Sequence, residues 1–337
     1  FKGTNRTSAP TTILLYRPTA SGSAQAKVTT GELTATAVYP GARGNDISLI
    51  ITELTEPEST FTVSTVVDGA IVDQQTAAQI SELVANAWVT FSGTGALAAT
   101  TGAALTGGAD GTVQSAAYSA YLTAIEPYKF DIMVYDGTDS TVQTALLSFI
   151  KRVNENNGQY CQLVASGLSN PDSRYVININ SPVTLSDGTE LTPQQVTWWA
   201  GGASAGALYN QSLTYAQYPG AVSTTMQTVD QFTQAVQAGN FVLFAENGVV
   251  KVMQDINSLT TYTEDIGQVY SKNRVMRLCN TIANDIFQQF SESFIGVVNN
   301  NEQGRARFQA AIVGYLQEIQ DNQGIQNFTS DDVEVLA

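Results

Sequence analysis

The chain has 337 residues, and its 15 basic and 30 acidic side chains give it a formal net charge of −15. That charge repels phosphate backbones, and no apolar run approaches the roughly 20 residues of a membrane-spanning helix, so we expect neither nucleic-acid binding nor membrane insertion. The chain has no histidine, which excludes serine–histidine and cysteine–histidine catalysis and nearly every catalytic zinc site.

The first hundred residues contain short runs in which apolar and polar residues alternate. The clearest runs are "TTILLYRP", "GELTATAVYP", "ISLIITEL" and "TFTVSTVVDG", each bounded by Gly, Pro or Asp, and they predict β-strands. One helix is predicted within this zone, over residues 77–87. A glycine cluster at residues 105–111 ends the zone, so we predict a β-sandwich-like domain over residues 1–107.

A dense turn motif, "YPGARGNDI", occupies residues 39–47 of this zone. Pro40 has a fixed φ and Gly41 a free one, which predicts a structural turn and not a phosphate-binding loop. Arg43 and Asp46 are expected to pair, with a contribution of at most about 1 kcal/mol on an exposed surface. A subunit-contact loop is the alternative function of the motif. Its candidate residues are Tyr39, Pro40, Gly41, Arg43, Gly44, Asn45 and Asp46.

Beyond the glycine cluster the pattern changes to strand, helix and strand. The apolar run "YKFDIMVYD" precedes the helical "STVQTALLSFIKRVNENNG" and the second apolar run "YCQLVAS", an order typical of a parallel sheet. Capping boxes that begin at Thr192 and Thr228 predict two further helices, and Asn247-Gly248 predicts a hairpin. We therefore predict an α/β domain over residues 108–262.

The last zone, residues 263–337, is predicted to be a helical α+β portion that packs on the α/β domain. Apolar residues recur there at three- and four-residue spacing along two stretches, which predicts two amphipathic helices with buried faces. The chain has two cysteines, Cys161 in the second apolar run and Cys279 on the first of these helices. Both are interpreted as small buried apolar side chains.

Two polar motifs in the second half favour local structure over chemistry. In "QDINSLTTYT", Asp255 and Asn257 are suited to bonding backbone N–H groups at a strand exit. "SKNRVMRL" is the densest basic cluster, and it faces an acidic patch of the same or a neighbouring subunit or else forms a solvated helix start. Its candidate residues are Lys272, Asn273, Arg274 and Arg277. We predict no catalytic residues, no metal and no cofactor.

Taken in order, these motifs resemble the sheath protein family of contractile phage tails and phage-tail-like bacteriocins. The resemblance implies a subtilisin-like fold for the central domain, without a catalytic triad because histidine is absent. The matching elements are "YPGARGNDI" (39–47), "LTGGADG" (105–111), "WWAGGASAGALYNQSLTY" (198–215), "QDINSLTTYT" (254–263), "SKNRVMRL" (271–278), "FIGVVNNNEQGR" (294–305) and "IQNF" (325–328).

The resemblance implies a structural subunit that polymerises with its own copies around a tail tube, above a baseplate. Such a sheath contracts and drives the tube through a cell envelope; it belongs to the virion and is assembled in the bacterial host cytoplasm. Family members usually carry terminal arms beyond the segments matched here, so this chain alone is expected to be monomeric. Two other classes stay open, namely a secreted adhesin or surface-layer protein, and a hydrolase that works through carboxylates. A tail-tube protein is disfavoured by the length of the chain.

Overall fold

The computed structural model describes residues 1–18, 20–56 and 59–336. The chain divides into two compact units, one formed by Tyr16–Tyr121 and the other by Phe1–Leu15 together with Leu122–Ala337. We call them the β unit and the α/β unit. The fold is thus a multidomain mixture of sheets and helices, and the boundaries proposed after residues 107 and 262 stay predictions.

The β unit consists of short antiparallel strands. A four-stranded sheet has the order β6-β5-β4-β8, a three-stranded sheet has the order β2-β3-β7, and β1 pairs with β9. The strands are β1 (Ala20–Ser21), β2 (Lys27–Thr30), β3 (Leu33–Ala37), β4 (Ile47–Glu53), β5 (Phe61–Val67), β6 (Ala70–Ala77), β7 (Val89–Ser92), β8 (Thr100–Ala104) and β9 (Thr112–Val113).

One core is shared by both larger sheets of the β unit. Leu33 on β3, Leu49 and Ile51 on β4 and Val89 on β7 are fully buried and belong to the same apolar cluster. Every second residue of β3 and of the first part of β4 points into this core, as the alternating pattern predicts. Two sheets that enclose a common core form a β-sandwich.

Two predictions in this zone are wrong. Residues 11–18 form no strand; Ile13, Leu14 and Leu15 are exposed, and none of the described strands pairs with this run. The predicted helix over residues 77–87 is only a single 3₁₀ turn, Ile80–Glu82.

Side-chain bonds to the backbone displace that helix. The Glu82 carboxylate accepts from the backbone N–H of Ala78, and the Asn86 side chain accepts from the backbone N–H groups of Trp88 and Val89. Asn86 also donates to Asp73 on β6. These bonds hold the backbone outside the helical conformation that the local pattern favours.

A four-stranded parallel sheet organises the α/β unit. Its order is β10-β11-β12-β16, and all three pairings are parallel, as predicted. The elements of the chain after β9 are α1 (Ser115–Ile125), β10 (Ile132–Val134), α2 (Ser140–Asn156), β11 (Gln162–Ser166), β12 (Val176–Ile179), β13 (Val183–Leu185), β14 (Glu190–Leu191), α3 (Pro193–Ala205), β15 (Ala221–Thr224), α4 (Val229–Gln237), β16 (Asn240–Phe241), β17 (Leu243–Glu246), β18 (Val249–Val252), α5 (Asn273–Ser293) and α6 (Glu302–Asp321).

The main core of this unit lies between α3 and the parallel sheet. Trp199 on α3 packs with Val164 on β11, with Ile177 on β12 and with Phe241 on β16. Gly201 lets the helix approach β10 closely, because a Cβ at this position would overlap the side chain of Val134.

The predicted local signals of this unit are present. Both capping boxes are formed, at Thr192 before α3 and at Thr228 before α4. Asn247 and Gly248 have φ angles of 53° and 74°, as expected for the two central residues of a type I′ hairpin turn between β17 and β18.

The two predicted C-terminal helices are present, but they are less buried than expected. Phe308 on α6 contacts Phe290 on α5 and Phe294 just after it, with ring centroids 4.9 Å and 4.8 Å apart. Phe290 is nevertheless 40% exposed and Phe287 is 53% exposed. We call this part of α5 and α6, with Phe294, the aromatic strip; Phe287 and Phe290 stay exposed although Lys129 Nζ lies 5.5 Å from the centroid of the Phe287 ring.

The two cysteines differ in their environments. Cys161 is buried next to Asn154, and burial raises the pKa of its thiol to about 12. Cys279 is exposed, so its predicted burial is wrong. The helical spacing correctly placed Cys279 on α5 but could not show that α5 is covered mainly at its start. Within the described ranges, no helix is both long enough and apolar enough to cross a bilayer.

The core of the α/β unit predicts a clear contrast between two leucines. Leu146 on α2 is 1% exposed, and Leu208 after α3 is 60% exposed. We expect Leu146→Ala to lower the free energy of unfolding by about 2–5 kcal/mol, because it leaves a cavity, and Leu208→Ala to change it by less than about 0.5 kcal/mol. Urea unfolding of both variants measures the difference, and equal losses would contradict this account of the core.

Candidate functional site

The turn motif at residues 39–47 is joined to the glycine cluster at residues 105–111. The Asn45 side chain donates to the Gly108 carbonyl and accepts from its backbone N–H, both at 2.8 Å. The Asp110 carboxylate accepts from the backbone N–H of Ala42 at 2.8 Å. Gly108 must be glycine, because a Cβ there would collide with the Gly41 carbonyl. Two motifs that are distant in sequence therefore form one structure, which we call the double loop.

Arg43 lies on the exposed side of the double loop. It donates to Asp46 at 2.9 Å, as expected, and also to Asp68 after β5, a partner that the sequence did not indicate. The guanidinium holds the pKa of the Asp68 carboxyl below its usual range. Because all three side chains are more than half exposed, the network adds little to stability.

The remaining residues of the motif have different environments. Tyr39 is 68% exposed, and Pro40 beside it is exposed as well. Gly44 is buried in a 3₁₀ turn, Ala42–Asp46, against the side chains of Ala26 and Ala37. The motif thus has a fixed inner side and an accessible outer side.

The second site is a buried ion pair in the α/β unit. Arg277 Nη2 lies 2.6 Å from Asp255 Oδ2, and the two side chains are 9% and 1% exposed. Asp255 also accepts from the Asn273 side-chain amide at 3.0 Å and from the backbone N–H of Leu213 at 3.0 Å. A buried carboxylate with three donors is well satisfied, which offsets much of the cost of removing its charge from water.

This ion pair connects several elements of the unit. Arg277 on α5 also donates to Ser204 Oγ on α3 at 3.1 Å and to the Gln211 carbonyl at 2.9 Å. Gln162 on β11 donates to Asn273 Oδ1 at 3.3 Å. We call Asp255, Asn273, Arg277 and their partners the buried polar cluster. It fixes α5 to the parallel sheet and to α3.

The backbone beside Asp255 is held on two sides. Asn257 donates from its side chain to the Tyr270 carbonyl at 2.7 Å and accepts from the backbone N–H of Leu259. Asp172 accepts from the backbone N–H groups of Thr260 and Thr261, and hydrogen bonds from the Thr261 side chain and from these backbone groups lower the pKa of its carboxyl to about 2. Asn257 therefore bonds a nearby backbone N–H group after β18, as the sequence suggested, whereas the backbone N–H that Asp255 accepts from belongs to the distant Leu213.

The basic residues of "SKNRVMRL" do not form one patch. Arg277 is buried on Asp255, whereas Lys272 and Arg274 are exposed. Lys272 Nζ donates to Gln254 Oε1 at 3.0 Å, and Arg274 donates to the Gln323 carbonyl at 3.1 Å. Arg277 thus meets a single buried carboxylate and not an acidic patch, Lys272 and Arg274 lie at a solvated helix start, and a contact with a neighbouring subunit stays a prediction.

Sequence reasoning missed several members of these sites. The sequence does not single out Gln162, Ser204 or Asp172 as members of these sites. A polar residue inside a strongly apolar strand, such as Gln162 in "YCQLVAS", is the one signal that pointed to the cluster. Among the described residues, no group of three or more Asp, Glu or Cys side chains converges as a metal ligand set.

Comparison with known protein families gives three consecutive matches. Residues 20–110 match the phage tail sheath protein beta-sandwich domain, residues 111–258 the phage tail sheath protein central domain, and residues 265–337 the phage tail sheath C-terminal domain. These three matches together extend over most of the chain.

Individual proteins are similar over the same region. A sheath tail protein of Desulfitobacterium hafniense is 42% identical with a TM-score of 0.81, covering 92% of this chain and 74% of that one. A sheath tail protein of Listeria innocua is 31% identical with a TM-score of 0.62, covering 91% of this chain and 72% of that one. The phage-like element PBSX protein XkdK of Bacillus subtilis is 34% identical, covering 95% of this chain and 74% of that protein.

The double loop predicts a measurable role for Asn45. Asn45→Ala removes both bonds to Gly108, so we expect the β unit to lose about 1 kcal/mol of unfolding free energy. We also expect amide hydrogen exchange at Gly108 to become several-fold faster. Arg43→Ala removes only exposed ion pairs and should change the stability by less than about 0.5 kcal/mol. An unchanged exchange rate at Gly108 in Asn45→Ala would refute this role.

The buried polar cluster predicts that two arginines of α5 differ sharply. Arg277→Met leaves the Asp255 carboxylate buried without its counter-ion and should cost about 3–5 kcal/mol of unfolding free energy. Arg274→Met, one turn earlier on the same helix, replaces an exposed side chain and should change it by less than about 0.5 kcal/mol. Denaturant unfolding compares the two variants, and a similar loss in both would show that the ion pair has no special role.

Proposed function

The chain belongs to the phage tail sheath protein family, and from this premise we propose that it is a subunit of a contractile tail sheath. The family is structural and not enzymatic, and its members assemble with other sheath subunits in a virion or phage-tail particle. One observation carries the proposal: three sheath domains match in order along residues 20–337. Neither a carboxylate-dependent hydrolase nor a secreted adhesin agrees with this order of domains.

We propose that many copies stack around a tail tube, above a baseplate, after assembly in the host cytoplasm. Contraction is then a rigid-body re-docking of subunits into a shorter and wider lattice. Its free energy comes from differences in interface burial and charge pairing between the two arrangements, without nucleotide or cofactor. The buried polar cluster supports this mechanism, because it makes internal deformation of the α/β unit costly and leaves the contacts between subunits to change.

The finer fold assignment is part of the same proposal. The chain is divided at residues 107 and 262 into a β-sandwich domain, a central domain and a C-terminal portion. The central domain has a subtilisin-like fold, which the parallel order β10-β11-β12-β16 and the helices α2 and α3 against β11 support. A subtilisin-like sheet without histidine retains the architecture and none of the triad chemistry.

We also propose that the outer side of the double loop is a subunit contact. Tyr39 and Pro40 are exposed on this side, and Arg43 lies there in its ion pairs with Asp46 and Asp68. The bonds from Asn45 to Gly108 support a contact role, since a preorganised loop loses little conformational freedom on binding.

Electron microscopy of the full-length gene product tests the proposed function. We expect tubes with a regular helical repeat and a lumen wide enough for an inner tube, in a long form and a shorter, wider form. Tubes of one invariant length and width would argue against contraction. A product that never self-associates, or one with substrate turnover that depends on its own carboxylates, would argue against a sheath subunit altogether.

A further inference from the structure

A cleft of about 570 Å³ opens beside the buried polar cluster, between the exit of β18 and the start of α5. Its lining combines polar and basic side chains with the apolar side chains of Met253 and Val275. The residues that matter here are Ser212, Thr214, Tyr215, Gln254, Lys272 and Arg274. Asp255 also contributes to the wall, but its charge is compensated by Arg277 at 2.6 Å. We call this feature the basic cleft.

The basic cleft concentrates positive charge on an acidic protein. Lys272 is the N-cap of α5 and Arg274 lies in its first turn, which has no acidic residue and no side-chain cap. Both side chains therefore add positive charge at the N-terminus of a 21-residue helix, which is already the positive end of the helix dipole. Arg6 brings a third cation to the rim by donating to the Thr214 carbonyl at 3.2 Å. In the described part of the chain, none of these three cations has a carboxylate partner.

An exposed aromatic group borders the same cleft. Tyr215 is 49% exposed, and its ring centroid lies 5.2 Å from that of Phe244, which in turn lies 6.5 Å from that of Phe232. The Tyr215 backbone has a φ of 61°, a conformation that non-glycine residues rarely adopt, and its N–H donates to the Val252 carbonyl. Exposed tyrosine and arginine side chains are typical of protein–protein contacts.

We propose that the basic cleft, with Tyr215 at its rim, binds carboxylate side chains of a second copy of this chain. The inference rests on the proposed function. Two copies that each carry a net charge of −15 repel one another, so close packing requires places where the sign of the surface is locally reversed. With twice as many acidic as basic side chains, each copy offers many carboxylates and few clusters of unpaired cations.

Charge reversal in the full-length gene product tests the proposal. The variant Lys272→Glu/Arg274→Glu is compared with Arg305→Glu/Arg307→Glu on α6, which has the same charge change and the same spacing. Association of the protein alone, without tube protein, is followed by sedimentation, which detects any oligomer. We expect the first variant to need at least tenfold more protein to associate, and the control less than threefold more.

Misfolding is separated from lost binding by a thermal melt of each variant. Glutamates at a helix N-terminus suit the helix dipole, so the variant at residues 272 and 274 should melt within a few degrees of the wild type. A zero-length carbodiimide coupling of mixed isotope-labelled copies is the second measurement. It should join Lys272 Nζ to a carboxylate of another copy.

The outcomes distinguish this inference from the proposed function. Three outcomes would each overturn the inference and leave the proposed sheath function standing. They are wild-type-like association of the variant at residues 272 and 274, an equal defect in the control pair, and no coupling of Lys272 between copies. Regular particles other than tubes would contradict the proposed function, and the same comparison of variants would still decide the role of the cleft. A wild-type product that never associates would refute both.

Discussion

The buried contact between Asp255 and Arg277 is the constraint on which the architecture of the α/β unit depends. A carboxylate that is 1% exposed is tolerated only because a guanidinium, an amide and a backbone N–H all point at it. Meeting that requirement places α5 against α3 and against the start of β11. Helix α5 is therefore positioned by polar groups at its start, and the aromatic contacts near its end pack α6 against it.

The distribution of charge follows the same logic at the surface. Most of the molecule is acidic, but two basic residues next to the buried pair, Lys272 and Arg274, stay exposed and without carboxylate partners among the described residues. One short motif thus has an inward-facing charge that holds the fold together and outward-facing charges that are available for association. The separation arises because Lys272 and Arg274 lie at the start of α5, whereas Arg277 lies nearly one turn further along, where Asp255 and Ser204 contact the helix.

Local signals were the part of this structure that the sequence could predict. Thr192, Thr228 and the Asn247-Gly248 pair act on neighbouring backbone, so their effects are visible without tertiary knowledge. The helix expected over residues 77–87 failed because Asn86 bonds to Asp73, which only the folded sheet brings close. The partners of Arg277 were likewise unpredictable, since Ser204 lies 73 residues away in the sequence and only packing brings it close.

The aromatic strip on α5 and α6 has a consequence for the free subunit. Phe287 and Phe290 are exposed to solvent. They line a pocket of about 260 Å³, together with Tyr160 and Phe308. Exposed apolar surface of this kind promotes aggregation at high protein concentration. The large negative charge counters that tendency by keeping newly made chains dispersed. The acidic composition thus contributes to colloidal stability during the interval between synthesis and incorporation into a larger particle.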